Sequence, residues 1–372
     1  MKPSFAQILQ QVEQKRSHKM ADKLPAWAGV EGLEFPTDLC LEQCSSQVAA
    51  LFKASLIGSP GAIADLTGGI GADCWAFSKV AGKVFYFEQN PELAQAAEGN
   101  FKKLGALNIS VTNACTSAEL IDGLDKLDWI YLDPARRDNA GRKVFLLEDC
   151  TPDVLTLLPA LWRKTDNIML KLSPMADISM LAAKLGSELQ KVHVVSSEGE
   201  TKELLCILRK GNTEPYSIEV DMPETDSAMA FSPAEERSAT PVFDGLPAAG
   251  QYLHEPCAAL LKSGAFRLPC RKWGLRKMAP FTHLYLSDGR LPEDAASFFK
   301  SFLILEAQPM GAAAIKAFAK AYPKADVSAR NIPMTSEQLR AKLKCAPSND
   351  GTHIFGCTAG ESRWLIACKR VK

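Results

Sequence analysis

The chain has 372 residues, 47% of them apolar, and its 43 basic and 43 acidic side chains balance. That length exceeds one ordinary core and predicts about two or three domains. No run of eighteen apolar residues and no apolar N-terminal leader occurs, so a cytoplasmic chain without a membrane span is expected. The eleven cysteines form no CxxC pair and no Cys/His cluster at zinc-ligand spacing, so they are expected as buried thiols in a reducing compartment, with no metal.

Residues 1–57 read as a helical segment. Apolar residues recur at helical spacing in FAQILQQVEQ and in CSSQVAALFKASL, with Pro25 and Pro36 breaking the stretch between them. From residue 58 the pattern changes. Short apolar runs at 63–67, 84–88, 108–112, 129–133, 168–172, 191–196 and 203–208 alternate with amphipathic helices such as PELAQAAEGNFKKLG. This alternation predicts a parallel sheet covered on both faces. The last two runs are separated only by SEGETK, which has no room for a helix, so they are expected as antiparallel neighbours. The result is a seven-stranded α/β domain over 58–212.

Residues 213–256 are rich in Pro, Glu, Ser and Ala and read as an acidic linker. A smaller α+β module follows, divided at 257–322 and 323–372. Its strand candidates are HLYLSD, SFLILEA, ADVSAR, THIFGCT and RWLIACKR, and its helix candidates are GAAAIKAFAKAY and SEQLRAKLK.

The strongest chemical signal is IADLTGGIGADCWAFSKV at 63–80. A strand ends in Asp65, a glycine turn follows, and a helix begins. Gly68, Gly69 and Gly71 allow a tight turn and a close backbone approach to a ligand, while the next helix offers unpaired N–H groups at its start. A dinucleotide fingerprint needs glycine where Thr67 and Cys74 stand, which argues against a nicotinamide site. The string resembles motif I of class I methyltransferases, with Thr67 in place of its first glycine. The second strand ends in Glu88 and Gln89, where an acidic side chain can accept ribose hydroxyls. The third ends in Asn113 and Ala114, where this family contacts adenine. The fourth ends in Asp133, Pro134, Ala135 and Arg136, resembling the D/N-P-P-Y/F motif IV of enzymes that methylate nucleic-acid amines. Ala135 and Arg136 depart from that motif, so an Arg plane replaces the usual stacking ring. Lys171 in LKLSPM closes the fifth strand and is expected to face the same crevice and hold an anionic group.

The resemblance implies S-adenosylmethionine as cofactor, held by Asp65, Thr67, Gly68, Gly69, Gly71, Glu88, Gln89, Asn113, Ala114 and Asp133. It implies an active site of Asp133, Pro134, Arg136 and Lys171. No cysteine lies in a nucleophile motif, so transfer is expected to be a direct in-line displacement with Asp133 orienting or accepting a proton. A narrower resemblance covers almost the whole chain. LEQCSSQVAALFKA, LDPARRD, LKLSP, SSEGETKE, YLHEPCAALLKSGAFR, FTHLYLSD and ARNIPMTSEQLRAKLK resemble a bacterial branch with ferredoxin-like and THUMP-like modules after the methyltransferase domain. THUMP domains accompany RNA-modifying enzymes, which implies a tRNA or rRNA acceptor.

Charge distribution agrees with an anionic partner. Residues 257–344 hold fifteen basic and six acidic side chains. Lys262, Arg267, Arg271, Lys272, Arg276 and Lys277 interleave with Phe266 and Trp273 as an RNA-binding candidate. Two other readings stay open from sequence: a small-molecule O- or N-methyltransferase, and a non-catalytic RNA-binding protein.

Overall fold

A computed structural model describes residues 18–136, 147–243 and 245–371. The chain divides into two compact units, residues 1–197 with 202–226, and residues 198–201 with 227–372.

In the first unit, α1 (Asp38–Gln43) and α2 (Gln47–Leu56) precede the sheet. Ser46 starts α2 by accepting a hydrogen bond from Ala49 N. The sheet is built from β1 (Ala62–Asp65), β2 (Lys83–Glu88), β3 (Ile109–Asn113), β4 (Trp129–Leu132), β7 (Asn167–Leu172), β8 (Leu189–Ser197), β9 (Glu200–Arg209) and β10 (Ser217–Met222). A two-stranded pair, β5 (Ala135–Arg136) with β6 (Cys150–Thr151), stands apart from it. The order is β3-β2-β1-β4-β7-β9-β8-β10. Strands β1, β2, β3, β4 and β7 run parallel, whereas β9 is antiparallel to β7 and lies beside β8. The SEGETK connection tightens into a turn with Glu198 at φ 54° and Gly199 at φ 79°, the left-handed pair that joins neighbouring antiparallel strands.

Helices α3 (Ala72–Phe77), α4 (Pro91–Lys103), α5 (Ala118–Asp122), α6 (Val154–Lys164) and α7 (Ile178–Leu185) fill the crossovers. Chain order thus makes the five parallel strands end on one side, and their short βα turns converge there. The core joins Ile63, Tyr86 and Tyr131 from the strands to Phe77, Phe101, Trp75 and the fully buried Trp27.

The stretch expected as a linker is partly regular. It contains β10, β11 (Ser227–Phe231), α8 (Pro233–Ser238) and β12 (Tyr252–Pro256). Buried Val220 and Asp221 in β10 pair in parallel with β8. Alternation over five or six residues was masked there by the acidic, proline-bearing composition.

The second unit holds, among the described residues, a seven-stranded sheet. Its strands are β12, β13 (Arg276–Ala279), β14 (Thr282–Ser287), β15 (Phe299–Pro309), β16 (Asp326–Arg330), β17 (Thr352–Ala359) and β18 (Ser362–Arg370). Their order is β13-β14-β12-β15-β18-β17-β16, with only β16–β17 parallel. Short helices α9 (Ala258–Ser263), α10 (Leu268–Trp273) and α11 (Glu293–Ala296) precede β15. Helices α12 (Ala312–Ala321) and α13 (Ser336–Leu343) flank β16.

Alternation along β17 and β18 feeds two cores. Ile354, Leu365 and Ala367 pack with Phe318, Leu339 and Leu343, whereas Phe355, Ile366 and Cys368 pack with Leu253, Leu284 and Phe302. Gly356 sits under α13, where an added Cβ would lie 2.5 Å from Leu339 Cδ2 and 3.1 Å from Ile332 Cδ1 and Met310 Cε. Gly356→Ala is therefore expected to destabilise this unit by about 1–3 kcal/mol, the range for overpacking a filled core. Urea denaturation monitored by circular dichroism should show an earlier transition, and an unshifted midpoint would contradict the packing described here.

Candidate active site

Register explains how separate motifs meet. Asp65 lies opposite Tyr86 on β2 and Tyr131 on β4, and Leu132 lies opposite Leu170 on β7. The residues that follow these pairs therefore gather at the carboxyl ends, where a cleft of about 940 Å3 opens. Its walls include Thr67, Gly68, Gly69, Gly71, Glu88, Gln89, Ala114, Asp133, Ala135 and Lys171, together with Leu39, Cys44 and Ser45 from the segment around α1.

The glycine loop is shaped from below. A Cβ on Gly68 would lie 2.1 Å from the Tyr86 ring, and one on Gly71, at φ 88°, 2.3 Å from the Phe101 ring. Gly69 has φ 54°, and its carbonyl accepts from Tyr86 Oη. Glycine is thus required at 68 and 71 by aromatic packing on the inner side and favoured at 69 by its left-handed backbone, which leaves backbone N–H and C=O groups as the cleft surface. Glu88 spans the loop and the next helix: Oε2 accepts from Gly69 N at 2.9 Å, and Oε1 from Asn90 N at 2.8 Å. Thr67 Oγ1 accepts from Asp133 N at 2.6 Å and itself donates to Asp65 Oδ1 at 3.3 Å.

Three expected contact residues sit elsewhere. Asp65 is buried beneath the cleft, not in its wall, and accepts from Thr67 N at 2.9 Å and Cys74 Sγ at 3.3 Å. Burial pushes its carboxyl up to about 7, against the pull of the Thr67 N–H. Asn113 turns its amide to the carbonyls of Glu88 and Gln89, at 2.7 and 3.1 Å, and so fixes the end of β2. Pro134 is buried behind the wall. Arg136 lies in β5, which pairs with β6, while Arg137 and Asp138 lie outside the described residues.

Lys171 and Asp133 form an ion pair at the cleft, as their aligned strand ends dictate. Behind them lies a buried charge network that motif reading missed. Lys53 on α2 has no exposed surface. Its Nζ lies 3.0 and 3.1 Å from the two oxygens of Glu203 on β9, 3.1 Å from Asp73 Oδ1 on α3, and 2.9 Å from Ser45 Oγ. Asp73 Oδ2 also accepts from Ser45 Oγ and Tyr131 Oη, each at 2.9 Å. Burial works against the ionised Asp73, but Lys53 and Lys171 outweigh it and hold its carboxyl below the usual range. Burial raises the Glu203 carboxyl, and the same two ammonium groups pull it back. Burial opposes charge on Lys171, yet Asp133, Glu203 and Asp73 together hold its ammonium above the ordinary lysine value. Partial burial pushes the Cys44 thiol, on the cleft wall, up to about 11, which disfavours a thiolate nucleophile. A lysine and an acid in amphipathic or strand runs carry no motif, and only the 150-residue separation of Lys53 and Glu203 closing in space reveals them.

The RNA candidates are scattered in character. Arg267, Arg271 and Lys272 are exposed, and Lys262 is partly so. Arg276 is bidentate to Asp288, at 2.9 and 2.6 Å. Lys277 is buried with Nζ bonded to the Pro280 carbonyl at 2.6 Å, so it is not offered to a phosphate. Trp273 stacks on Phe298 and donates to Asp294 Oδ2, and Phe266 stacks on His283. All eleven cysteines are free. Among the described residues, no helix is long and apolar enough to cross a membrane. His193, Glu219 and Asp221 bring three potential ligand atoms within 4.8 Å, but His193 bonds to Asp221 and Glu219 to Lys191.

A glycine loop after β1, an acid at the end of β2 and an acid after β4, on a sheet whose seventh strand in chain order is antiparallel, define a class I methyltransferase domain. Residues 252–293 match the model of a ferredoxin-like domain and residues 299–370 that of a THUMP domain-like family. The crystal structure of a methyltransferase-assigned protein from Porphyromonas gingivalis W83 is 31% identical over 97% of this chain and 89% of its own, with a TM-score of 0.85. The chain belongs to that family, a methyltransferase domain followed by ferredoxin-like and THUMP-like modules. No curated protein matches it. Weaker likenesses include TrmK of M. capricolum bound to S-adenosyl-homocysteine (13% identity, 46% of this chain and 69% of that one, TM-score 0.34). An rRNA methylase of Streptococcus thermophilus is similar at 12% identity over 44% and 94%, TM-score 0.33. Neither of these two carries weight beyond that.

Because Lys53 neutralises two buried carboxylates, Lys53→Met is expected to cost about 3–5 kcal/mol, the range for leaving one partner of a buried pair uncompensated. Adding Glu203→Leu should recover part of that loss. Tryptophan-fluorescence denaturation of the two variants measures both effects, and equal stability of Lys53→Met and wild type would refute the network's role.

Proposed function

We propose that the protein transfers the methyl group of S-adenosylmethionine to RNA, with tRNA or rRNA as the acceptor class. The observation that carries the cofactor assignment is the cradle at Gly68 and Gly71, closed to any side chain on its inner face and open to a ligand on its outer one. The cleft volume suits a cofactor of this size. Gly68, Gly69 and Gly71 would line the methionine portion, Glu88 and Gln89 the ribose, and Ala114, Cys115 and Thr116 the adenine side. Around the far end the carboxylates Asp73, Asp133 and Glu203 outnumber the ammonium groups Lys53 and Lys171, a field suited to a sulfonium cation. The cofactor supplies an electrophilic methyl group. The chain's own residues hold the acceptor in line beside Asp133 and Lys171 and shield the exchange from water.

RNA as acceptor is supported by the THUMP-like match and by the basic excess of residues 257–344. With Lys277 buried and Arg276 paired, the exposed Arg267, Arg271 and Lys272 are the better phosphate contacts of the expected set. Exposed Lys316, Lys320, Arg340 and Lys342 on α12 and α13 add to them.

Calorimetry is expected to show binding of S-adenosylmethionine and S-adenosylhomocysteine. Glu88→Ala should weaken that binding by about 1–3 kcal/mol through a lost buried hydrogen-bonding group. Asp133→Ala should lower transfer while sparing affinity for S-adenosylhomocysteine, which carries no sulfonium charge, and unchanged cofactor affinity in Glu88→Ala would refute the ribose assignment.

RNA binding by the full chain should fall steeply with salt, and Arg271→Glu with Lys272→Glu should weaken it and shallow the salt slope by about 1–2. RNA binding that is absent at low salt, or indifferent to salt, would overturn the RNA reading.

A further inference from the structure

The acceptor side of the cleft has an electrostatic asymmetry that bears on which atom is methylated. Among the described residues, its lining there is Asp133, Ala135, Thr151, Pro152 and Lys171, none of them aromatic. A base flipped into an active site is ordinarily held by stacking on a ring, and Arg136, which is not aromatic, occupies the position where motif IV carries one. Asp133 Oδ2 is committed to the Lys171 ammonium, so only Oδ1 remains to take up a proton. Lys171 itself cannot swing away freely. It lies among Asp133, Glu203 and Asp73, and Glu203 and Asp73 are in turn anchored on the fully buried Lys53.

The charge that develops at the acceptor decides between chemistries. A neutral amine or ring nitrogen that attacks a methyl group becomes more positive in the transition state, and a fixed ammonium beside it raises that barrier. A hydroxyl behaves oppositely. Its oxygen becomes more negative as its proton departs, and the same ammonium stabilises it. A carboxylate with one free oxygen next to that ammonium is the complementary proton acceptor.

We infer that the acceptor is a hydroxyl oxygen and, resting on the RNA reading above, the 2′-hydroxyl of a ribose. The hydroxyl proton passes to Asp133 Oδ1, the oxygen forms the new O–C bond, the methyl–sulfur bond breaks, and its electron pair remains on sulfur as a thioether. Lys171 stabilises the oxygen as its proton leaves. Asp133 and Lys171 are catalytic in this scheme; Lys53, Glu203 and Asp73 are positioning residues that keep the ammonium in place.

The test uses the full chain, S-adenosylmethionine labelled with tritium in its methyl group, and total RNA from cells deleted for the gene. Ribose methylation protects the adjacent phosphodiester from alkali, because cleavage needs the free 2′-hydroxyl. Label is therefore expected in alkali-stable dinucleotides. Label released as mononucleotides, methylated on the base, would overturn the hydroxyl inference and leave RNA methylation standing. No label in RNA, from protein that binds the cofactor by calorimetry, would end both. Lys171→Met, close in shape, should lower transfer by about 10²–10³-fold, the cost of removing one stabilising donor at a developing oxyanion, with unchanged S-adenosylhomocysteine affinity.

A readout independent of turnover is the side-chain nitrogen-15 resonance of Lys171 in the free protein, assigned by its loss in Lys171→Met. It is expected to report an ammonium that persists to a higher pH than an ordinary lysine, whose value is about 10.4. A neutral amine at pH 7 would overturn the inference, since no fixed cation would then face the acceptor.

Discussion

A fully buried ammonium cannot be left alone in a protein interior, and Lys53 is one. Its partners come from widely separated parts of the chain: Glu203 from the antiparallel β9, Asp73 from the helix after the glycine loop, and Ser45 from the turn between α1 and α2. Satisfying that single charge therefore places the N-terminal helices against the sheet and fixes the start of α3. It also brings two carboxylates within reach of Lys171. The ion pair at the cleft is the visible end of this arrangement. Such networks are costly to bury and costlier still to break by one member, which makes their geometry stringent. The segment before β1 is consequently part of the catalytic domain's floor, not an appendage to it.

Much of the architecture could be read from residues alone because its signals are local. The short apolar runs at 63–67, 84–88 and 129–133 became β1, β2 and β4, and the connection SEGETK, too short for a helix, set β8 and β9 side by side. The glycine loop was legible for the same reason, since three glycines in four positions after an apolar run have few uses. The chemistry that was missed is non-local. Glu203 looks like the polar start of an apolar strand, and Lys53 like an ordinary residue of an amphipathic helix. Nothing in either string reveals the other. Asp65, by contrast, stands out in the motif, and the fold turns it inward, where it accepts from Thr67 N and Cys74 Sγ.

Composition was also a weak guide in the second unit. Six cations between residues 262 and 277 look like one basic patch, yet their fates diverge. Lys277 caps a turn from inside the fold, Arg276 is locked to Asp288, and Trp273 spends its ring on Phe298. A count of charges cannot tell which side chains a strand turns inward. In β13, Arg276 stays partly exposed while Lys277, Met278 and Ala279 are all buried, so the two adjacent basic residues are divided between surface and interior. The acidic stretch before it concealed β10 in a similar way.

Thr67, which stands where the family's first glycine would, has a hydroxyl that a glycine could not supply. It receives the Asp133 N–H and gives its own proton to Asp65, so the turn after β1 and the end of β4 share one atom. Any rearrangement of the glycine loop must either carry the Asp133 backbone with it or break that bond. The two halves of the cleft are in this sense mechanically geared: one oxygen transmits the posture of the first to the second, over a path one hydrogen bond long.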